Sequence, residues 1–305
     1  MYADILVLAY NRPVHLKRLL ESIAENEGAG SSSISVSIDG PKNHSDIEKI
    51  KQCNEVASIN YGFKRLVVFN HTTNRGLADS VIDAVSTSFL KCERLIVLED
   101  DLVVSRSFLN FMNSSLEKYQ SHDQVASIQG YQYPGIKLSN GPVFLRGADC
   151  WGWATWRDRW RDTDFNSDLL ISGFDSPQLK SQFDFEGNKP NFDMLLNQSK
   201  GRVNSWAIRW HASQFLKNRL SLFPEVSLVQ NLGADGSGTN SGENSIFLTE
   251  VSDEYDFKLP DLIEESASYR KQLVLLFANI YGGEKRFTWK RTILKLVNFR
   301  RNEVC

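Results

Sequence analysis

Glu99, Asp100 and Asp101 stand side by side at the end of an apolar run, RLIVL at 94–98. Hard divalent cations such as Mg2+ and Mn2+ take a few carboxylate oxygens and complete their shell with phosphate and water, so the triplet is a candidate cation site. If the run is a strand, alternation places Glu99 and Asp101 on one side and Asp100 on the other. An isolated Glu-Asp-Asp is more often an acidic surface turn. A buried strand leading into it reverses that preference.

Other chemistry-bearing residues end similar runs. Tyr10, Asn11 and Arg12 follow DILVLA, Asp39 and Gly40 follow ISVSI, and NHTTNRG occupies 70–76. Asp39 suits a ribose hydroxyl or a base N–H; the alternative is an Asx-turn or helix cap before Pro41. Arg12 suits a base or phosphate, or else a surface ion pair of little energetic worth. Asn74 and Gly76 open a helical pattern whose N-terminus is a ready anion site, or they only cap it. Further along, CWGWATWRDRW carries Trp151, Trp153, Trp156 and Trp160. Trp151 and Trp153 are candidate acceptor contacts, since an indole offers a flat face to a sugar ring. The i, i+3, i+7 spacing of Trp153, Trp156 and Trp160 favours a buried helix face for these three. Asp149 and Asp235 are carboxylates available as a general base, and Asp149 could instead hold Arg157 or Arg159. His211, beside Trp210, reads as structural. No Cys/His cluster points to zinc, and no G-x-S-x-G or Cys/His pairing points to a covalent nucleophile.

The elements that must position these residues alternate. Strand-like runs at 4–9, 34–39, 65–70 and 94–98 are separated by helical patterns: Leu16, Leu19, Leu20 and Ile23 after Pro13; a Ser45/Glu48 capping box before Ile50; and Leu77, Val81, Val85 and Phe89. Phe108, Phe111, Met112, Leu116 and Tyr119 make a fourth stripe. This βαβαβαβ rhythm predicts an α/β fold: a mostly parallel central sheet with helices on both faces. Ligands of such sheets bind beyond the carboxyl ends of the strands, where the polar groups that end these four runs converge. QVASIQG and PVFLR predict strands of a mixed continuation.

Composition limits the function classes. The chain has 305 residues, 41% hydrophobic and 24% charged, with a formal net charge of -2, so nucleic-acid binding is not expected. Four scattered cysteines and the absence of a signal-peptide pattern predict a cytoplasmic protein. The stretch 285–301 interleaves Lys and Arg with Phe287, Trp289, Ile293 and Leu294, which suits peripheral contact with the inner face of a membrane, or a helix packed on the protein itself.

LVLAYNRPVHLKRLLESI, VSIDG, NRGLADSVIDAV and ERLIVLEDDLVVS together resemble nucleotide-sugar glycosyltransferases of the GT-A (Rossmann-like) fold, of the N-acetylglucosaminyltransferase I type and bacterial family 2. The resemblance covers about the first 120 residues well and continues more loosely through GADCWGWATWRDRW and NSWAIRWHASQFL. It implies a nucleoside-diphosphate sugar donor, UDP by family likeness, and a Mn2+ or Mg2+ cofactor. The acceptor it implies is a glycan or lipid-linked hydroxyl. Arg12 and Asp39 would hold the nucleotide, with Tyr10, Asn11, Asn74, Gly76 and Asp79 around the donor. Glu99 and Asp100 would face its ribose and sugar, and Asp101 would bind the metal in this family's version of the D-x-D motif. The family's catalytic Asp before a Trp is replaced here by Ser205 before Trp206, which leaves Asp149 first and Asp235 second as base. The expected division is a transferase domain at 1–235, with a donor half at 1–120 and an acceptor half at 121–235. A loop and helical, basic C-terminal extension would occupy 236–305. Two other functions stay open: a sugar-1-phosphate nucleotidyltransferase, disfavoured because AYNRP is no Gly-rich phosphate loop, and a non-catalytic carbohydrate-binding relative.

Overall fold

The structure, a computed structural model, describes residues 2–233 and 245–282. β1 (Asp4–Ala9), β2 (Ser33–Ile38), β3 (Arg65–Asn70) and β4 (Arg94–Glu99) are parallel neighbours. Between them run α1 (Pro13–Ala24), α2 (Asp46–Ala57) and α3 (Leu77–Ser88). After β4 come β5 (Leu102–Val104), α4 (Phe108–Lys118), β6 (Val125–Gln129), β7 (Val143–Arg146) and β8 (Trp153–Trp156). Then follow α5 (Arg157–Arg161), α6 (Ser167–Gly173), α7 (Pro177–Phe183), α8 (Asn191–Ser199), α9 (Trp206–Leu216), β9 (Leu220–Phe223), β10 (Val229–Asn231) and a helix at 267–282, α10.

The main sheet has the order β3-β2-β1-β4-β8-β6-β9-β7, in which only β8 and β7 run against the rest. The α/β, mostly parallel architecture is therefore as expected. Helices cover both faces for a reason visible in β1: Ile5, Val7 and Ala9 pack with Leu16, Leu19, Leu20 and Ile23 of α1, while Leu6 and Leu8 pack with Val81 and Val85 of α3. Period 2 in the strand meets period 3.6 in each helix. Each of the buried Leu, Ile and Val side chains here contributes about 1.5–3 kcal/mol.

Two local expectations change. Trp153 and Trp156 belong to strand β8, not to a helix, which begins only at Arg157. β8 is paired on both edges, by β4 and β6, and covered on both faces; residues three apart point to opposite faces, so Trp153 joins the α3 side and Trp156 the α4 side. Ser45 does occupy the cap position of α2, but its hydroxyl bonds Asn43 Oδ1 and makes no cap hydrogen bond. Asp46 gathers the polar contacts instead.

The described part of 236–305 is built into the body. Tyr269, Leu273 and Phe277 of α10 are fully buried in the larger core, and the preceding segment is tied down where Tyr119 Oη donates to Pro260 O at 2.6 Å. Among the described residues no helix is long and apolar enough to cross a membrane. The basic stretch 285–301 lies outside the described residues.

Candidate active site

From β1 the chain moves outward to β2 and β3, then returns to the other side of β1 to place β4. The β1/β4 boundary is thus the switch point at which an open sheet forms a crevice. There β4 ends at Glu99, and Asp100 and Asp101 make a turn into β5, so strand alternation stops before them. Asp100 N donates to Leu8 O at 2.9 Å, and Asp100 Oδ2 accepts from Tyr10 N at 3.1 Å. Arg12, one residue before α1, reaches across with Nη1 3.1 Å from Asp101 Oδ2; both side chains are only 14% exposed. The second oxygen, Asp101 Oδ1, is buried and has no hydrogen-bond partner among the described residues.

The electrostatics are strained accordingly. Burial, reinforced by Asp101 and then Asp100, pushes Glu99 up to about 8. Burial and Asp101 push Asp100 up to about 7. Burial also raises Asp101, with the Arg12 charge pulling the other way. Three crowded carboxylates with one guanidinium are short of positive charge. Among the described residues no three His, Cys, Asp or Glu side chains converge on one point as in a closed cage. The set fits a hard cation all the same, provided Asp101 supplies the protein oxygen and diphosphate and water supply the remainder.

A second element seals Asp101. β10 pairs antiparallel with β5, Leu232 N donates to Asp101 O at 2.8 Å, and Asn231 Oδ1 accepts from Gly233 N at 2.7 Å. A Cβ on Gly233 would lie 2.3 Å from Asp101 Oδ2, so only glycine lets the backbone approach the carboxylate. A glycine in a Gly-rich run gives no signal of this from sequence alone.

Asp39 is placed at the same rim but is already engaged. Its Oδ1 accepts from Gly40 N at 2.9 Å and Arg75 N at 3.0 Å, and its Oδ2 from Asn74 Nδ2 at 3.0 Å and Gly76 N at 3.1 Å. It clamps the 74–76 turn to the tip of β2, and any contact with a nucleotide would exchange one of these bonds. Asn74 likewise serves the clamp and leaves α3 without a side-chain cap. Gly76, at φ +77°, enters α3 in a conformation that favours glycine. Tyr10 Oη and Asn11 Nδ2 both donate to Asp46, at 2.7 and 2.8 Å, and so brace the β1–α1 turn against α2. Burial and the Asp46 bond push the Tyr10 phenol up to about 12. Asp79 is exposed in the first turn of α3, where its charge acts on Arg209 of α9. Ser205 caps α9, its Oγ accepting from Ile208 N at 3.3 Å.

On the other side of β4 the chain arrives antiparallel. The Val97↔Trp153 pairing carries 149–152 past the tip of β4, and the charges of both Asp149 and Glu99 bear on Cys150. Asp149 Oδ2 accepts from Tyr133 Oη at 2.6 Å and Oδ1 from Cys150 N at 2.8 Å. It borders a cavity of about 20 Å³, room for one water, together with Tyr133, Arg146, Lys189 and His211. Burial, and next the Lys189 charge, lowers His211 to about 4, and its ring stacks on Phe183 at 4.9 Å, so the structural reading of this histidine stands.

Trp151 is half-buried, edge-on to Tyr131 at 4.8 Å. Trp153 cannot contact an acceptor: it is 1% exposed and enclosed by Trp160, Trp206 and Trp210 with centroids at 5.7, 5.3 and 5.5 Å. Asp235 lies outside the described residues. Lys189 and Tyr133, absent from the sequence-derived set, join Asp149 only through the fold.

No family model and no curated protein matches the chain. Among solved structures it is similar to TarS of S. aureus, residues 1–349, at TM-score 0.35 and 13% identity over 52% of this chain and 47% of that one. TarS with UDP-GlcNAc matches at TM-score 0.32 and 14% identity over 46% and 37%. The mannosyltransferase PcManGT from Pyrobaculum calidifontis, in complex with GDP-Man and Mn2+, matches at TM-score 0.32 and 16% identity over 45% and 36%. The chain therefore spans less than half of these structures' length. Likenesses this distant decide neither fold nor activity, which rest on the geometry described above.

Proposed function

We propose that the chain is a metal-dependent, inverting glycosyltransferase that moves a sugar from a nucleoside-diphosphate donor, UDP-linked by the sequence resemblance, to a hydroxyl of a glycan or lipid-linked acceptor. The observation that carries this reading is the buried, unpartnered Asp101 Oδ1 beside Arg12 at the β1/β4 switch point. Asp101 would hold Mn2+ or Mg2+, whose bound charge would offset that of a departing diphosphate. Arg12, released from Asp101, is placed to contact the phosphates. Tyr10, Asn11, Asn74, Gly76 and Asp39 shape the donor wall, chiefly by holding the β1 and β2 tips in place. Glu99 and Asp100 lie on the donor's sugar side, and Trp151 offers its exposed part to the acceptor.

Asp149 is the general base. Its carboxylate takes the acceptor hydroxyl's proton as the oxygen bonds the anomeric carbon, and the bond from that carbon to the diphosphate oxygen breaks with its electron pair leaving on phosphate. Such base assistance contributes roughly 10²- to 10⁴-fold. The work of the first strand tips is to orient the donor, and that of the 149–152 segment is to present the proton acceptor.

The test combines UDP and GDP, each with and without Mn2+, in thermal-shift titrations, followed by nucleoside diphosphate release from UDP-GlcNAc and GDP-mannose. A ligand bound only by the native state at a hundredfold its Kd stabilises by about 2.7 kcal/mol. Stabilisation that needs Mn2+ and disappears in Asp101→Asn is the expected result. Equal nucleotide binding by the folded Asp101→Asn variant would sink the metal assignment.

A further inference from the structure

Behind Asp149 lies a polar chain that nothing above explains. Lys189, just before α8, places its Nζ 3.4 Å from Tyr133 Oη, and that hydroxyl donates to Asp149 Oδ2 at 2.6 Å. The ammonium is otherwise surrounded by rings, at 4.7 Å from the centroid of Phe277, 5.7 Å from Tyr133 and 5.9 Å from Phe185. A lysine in this aromatic enclosure forgoes much of its hydration, an expense that a merely structural residue of the same length, such as Met, would avoid. Its ammonium donates to the tyrosine oxygen while the tyrosine O–H donates to the carboxylate, so the two bonds polarise each other in one direction.

We propose that Lys189 acts through Tyr133 to orient the Asp149 carboxylate as the proton acceptor of sugar transfer, an inference that rests on the glycosyltransferase reading above. Lys189 and Tyr133 are positioning residues; Asp149 alone would touch the acceptor. During transfer the acceptor proton passes to Asp149, the acceptor oxygen bonds the anomeric carbon, and the electron pair of the broken bond leaves on the diphosphate. Other titratable groups also face Asp149: Tyr131 and Tyr133 after β6, Cys150 beside it, Arg146 and His211 across the cavity, and Tyr269 from α10. Burial holds the tyrosines and Cys150 in their neutral forms and keeps His211 neutral near pH 7. Lys189 and Arg146 remain as the basic groups of this wall; burial lowers both, with Asp149 pulling Lys189 back up and Glu265 doing so for Arg146. Of these two, only Lys189 is coupled to the carboxylate by a shared hydroxyl.

The experiment follows the Asp149 side-chain carboxyl by 13C NMR titration of the ligand-free full chain, with the resonance assigned from its loss in Asp149→Asn. Lys189→Met is expected to move the carboxyl resonance and its titration midpoint upward, Tyr133→Phe by less, and Lys189→Arg to restore both. The acidic limb of kcat/KM for nucleoside diphosphate release should move by the same amount, with donor KM unchanged. Unaltered midpoints in Lys189→Met and Tyr133→Phe overturn the proposal, and the tyrosine variant decides alone if the lysine variant does not fold. Full transfer activity in Asp149→Asn would instead remove the base assignment while leaving the electrostatic coupling measurable, so the two failures are distinguishable.

Discussion

β1 and β4 lie side by side and parallel, and each hands its next residues to the same rim. β4 and β8 also lie side by side, but antiparallel, and there the chain delivers 149–152 to the rim before its strand begins. Two neighbouring seams therefore supply two kinds of residue. The parallel seam contributes Arg12, Asp100 and Asp101, crowded charges that want a counter-ion. The antiparallel seam contributes Asp149, which accepts from Tyr133 with Lys189 behind it. On the proposed reading, the first seam takes a ligand that brings positive charge with it, and the second already has a basic side chain of its own.

Four substitutions would break or sharpen this contrast. The largest effect belongs to the antiparallel seam: Trp153→Ala empties the centre of a four-indole cluster and should cost about 3–5 kcal/mol in chemical denaturation. Any surviving folded enzyme should keep its acceptor KM; a raised KM would return Trp153 to the acceptor site. Asp39→Ala strips the 74–76 turn of its acceptor and should cost about 1.5–3 kcal/mol, with donor affinity falling because the β2 tip loosens. Gly233→Ala drives a methyl into the Asp101 carboxylate and should cost about 1–3 kcal/mol while weakening Mn2+ stabilisation. Asp101→Asn should have the smallest net effect on stability, because stranding the Arg12 charge is offset by relieving the repulsion that Asp101 exerts on Glu99 and Asp100.

The pH dependence provides the sharpest comparison. Glu99 and Asp100 have folded-state values raised to about 8 and about 7. The native state therefore binds more protons than the unfolded chain between the ordinary carboxylate range and those values, and ligand-free stability should fall as pH rises through that window. Mn2+ with nucleoside diphosphate should reverse the trend, stabilising more at pH 8 than at pH 6. Parallel curves with and without Mn2+ would show that no cation meets the triplet.

The parallel seam was largely legible in the sequence. Strand–helix alternation set the α/β class, and the ends of four apolar runs marked the rim that the fold assembles. What could not be read there was which polar groups face a ligand and which hold the scaffold. Asp39, Tyr10 and Asn11 look like ligand contacts in isolation, yet their hydrogen bonds close turns, and only partner identity reveals this. The antiparallel seam misled for a different reason: a strand buried on both faces has no alternation to show, so Trp153, Trp156 and Trp160 imitated a helix. Lys189 was invisible because its neighbours Tyr133, Phe185 and Phe277 come from distant parts of the chain.

Phe277 belongs to α10, near the end of the described residues, and Tyr269 of the same helix donates to Gln132 Oε1 at 2.8 Å, next to Tyr133. The enclosure around Lys189 therefore depends on one ring from the far end of the described residues, and Phe277→Ala should admit water there and weaken the Lys189–Tyr133–Asp149 chain while leaving every residue of the carboxylate cluster in place.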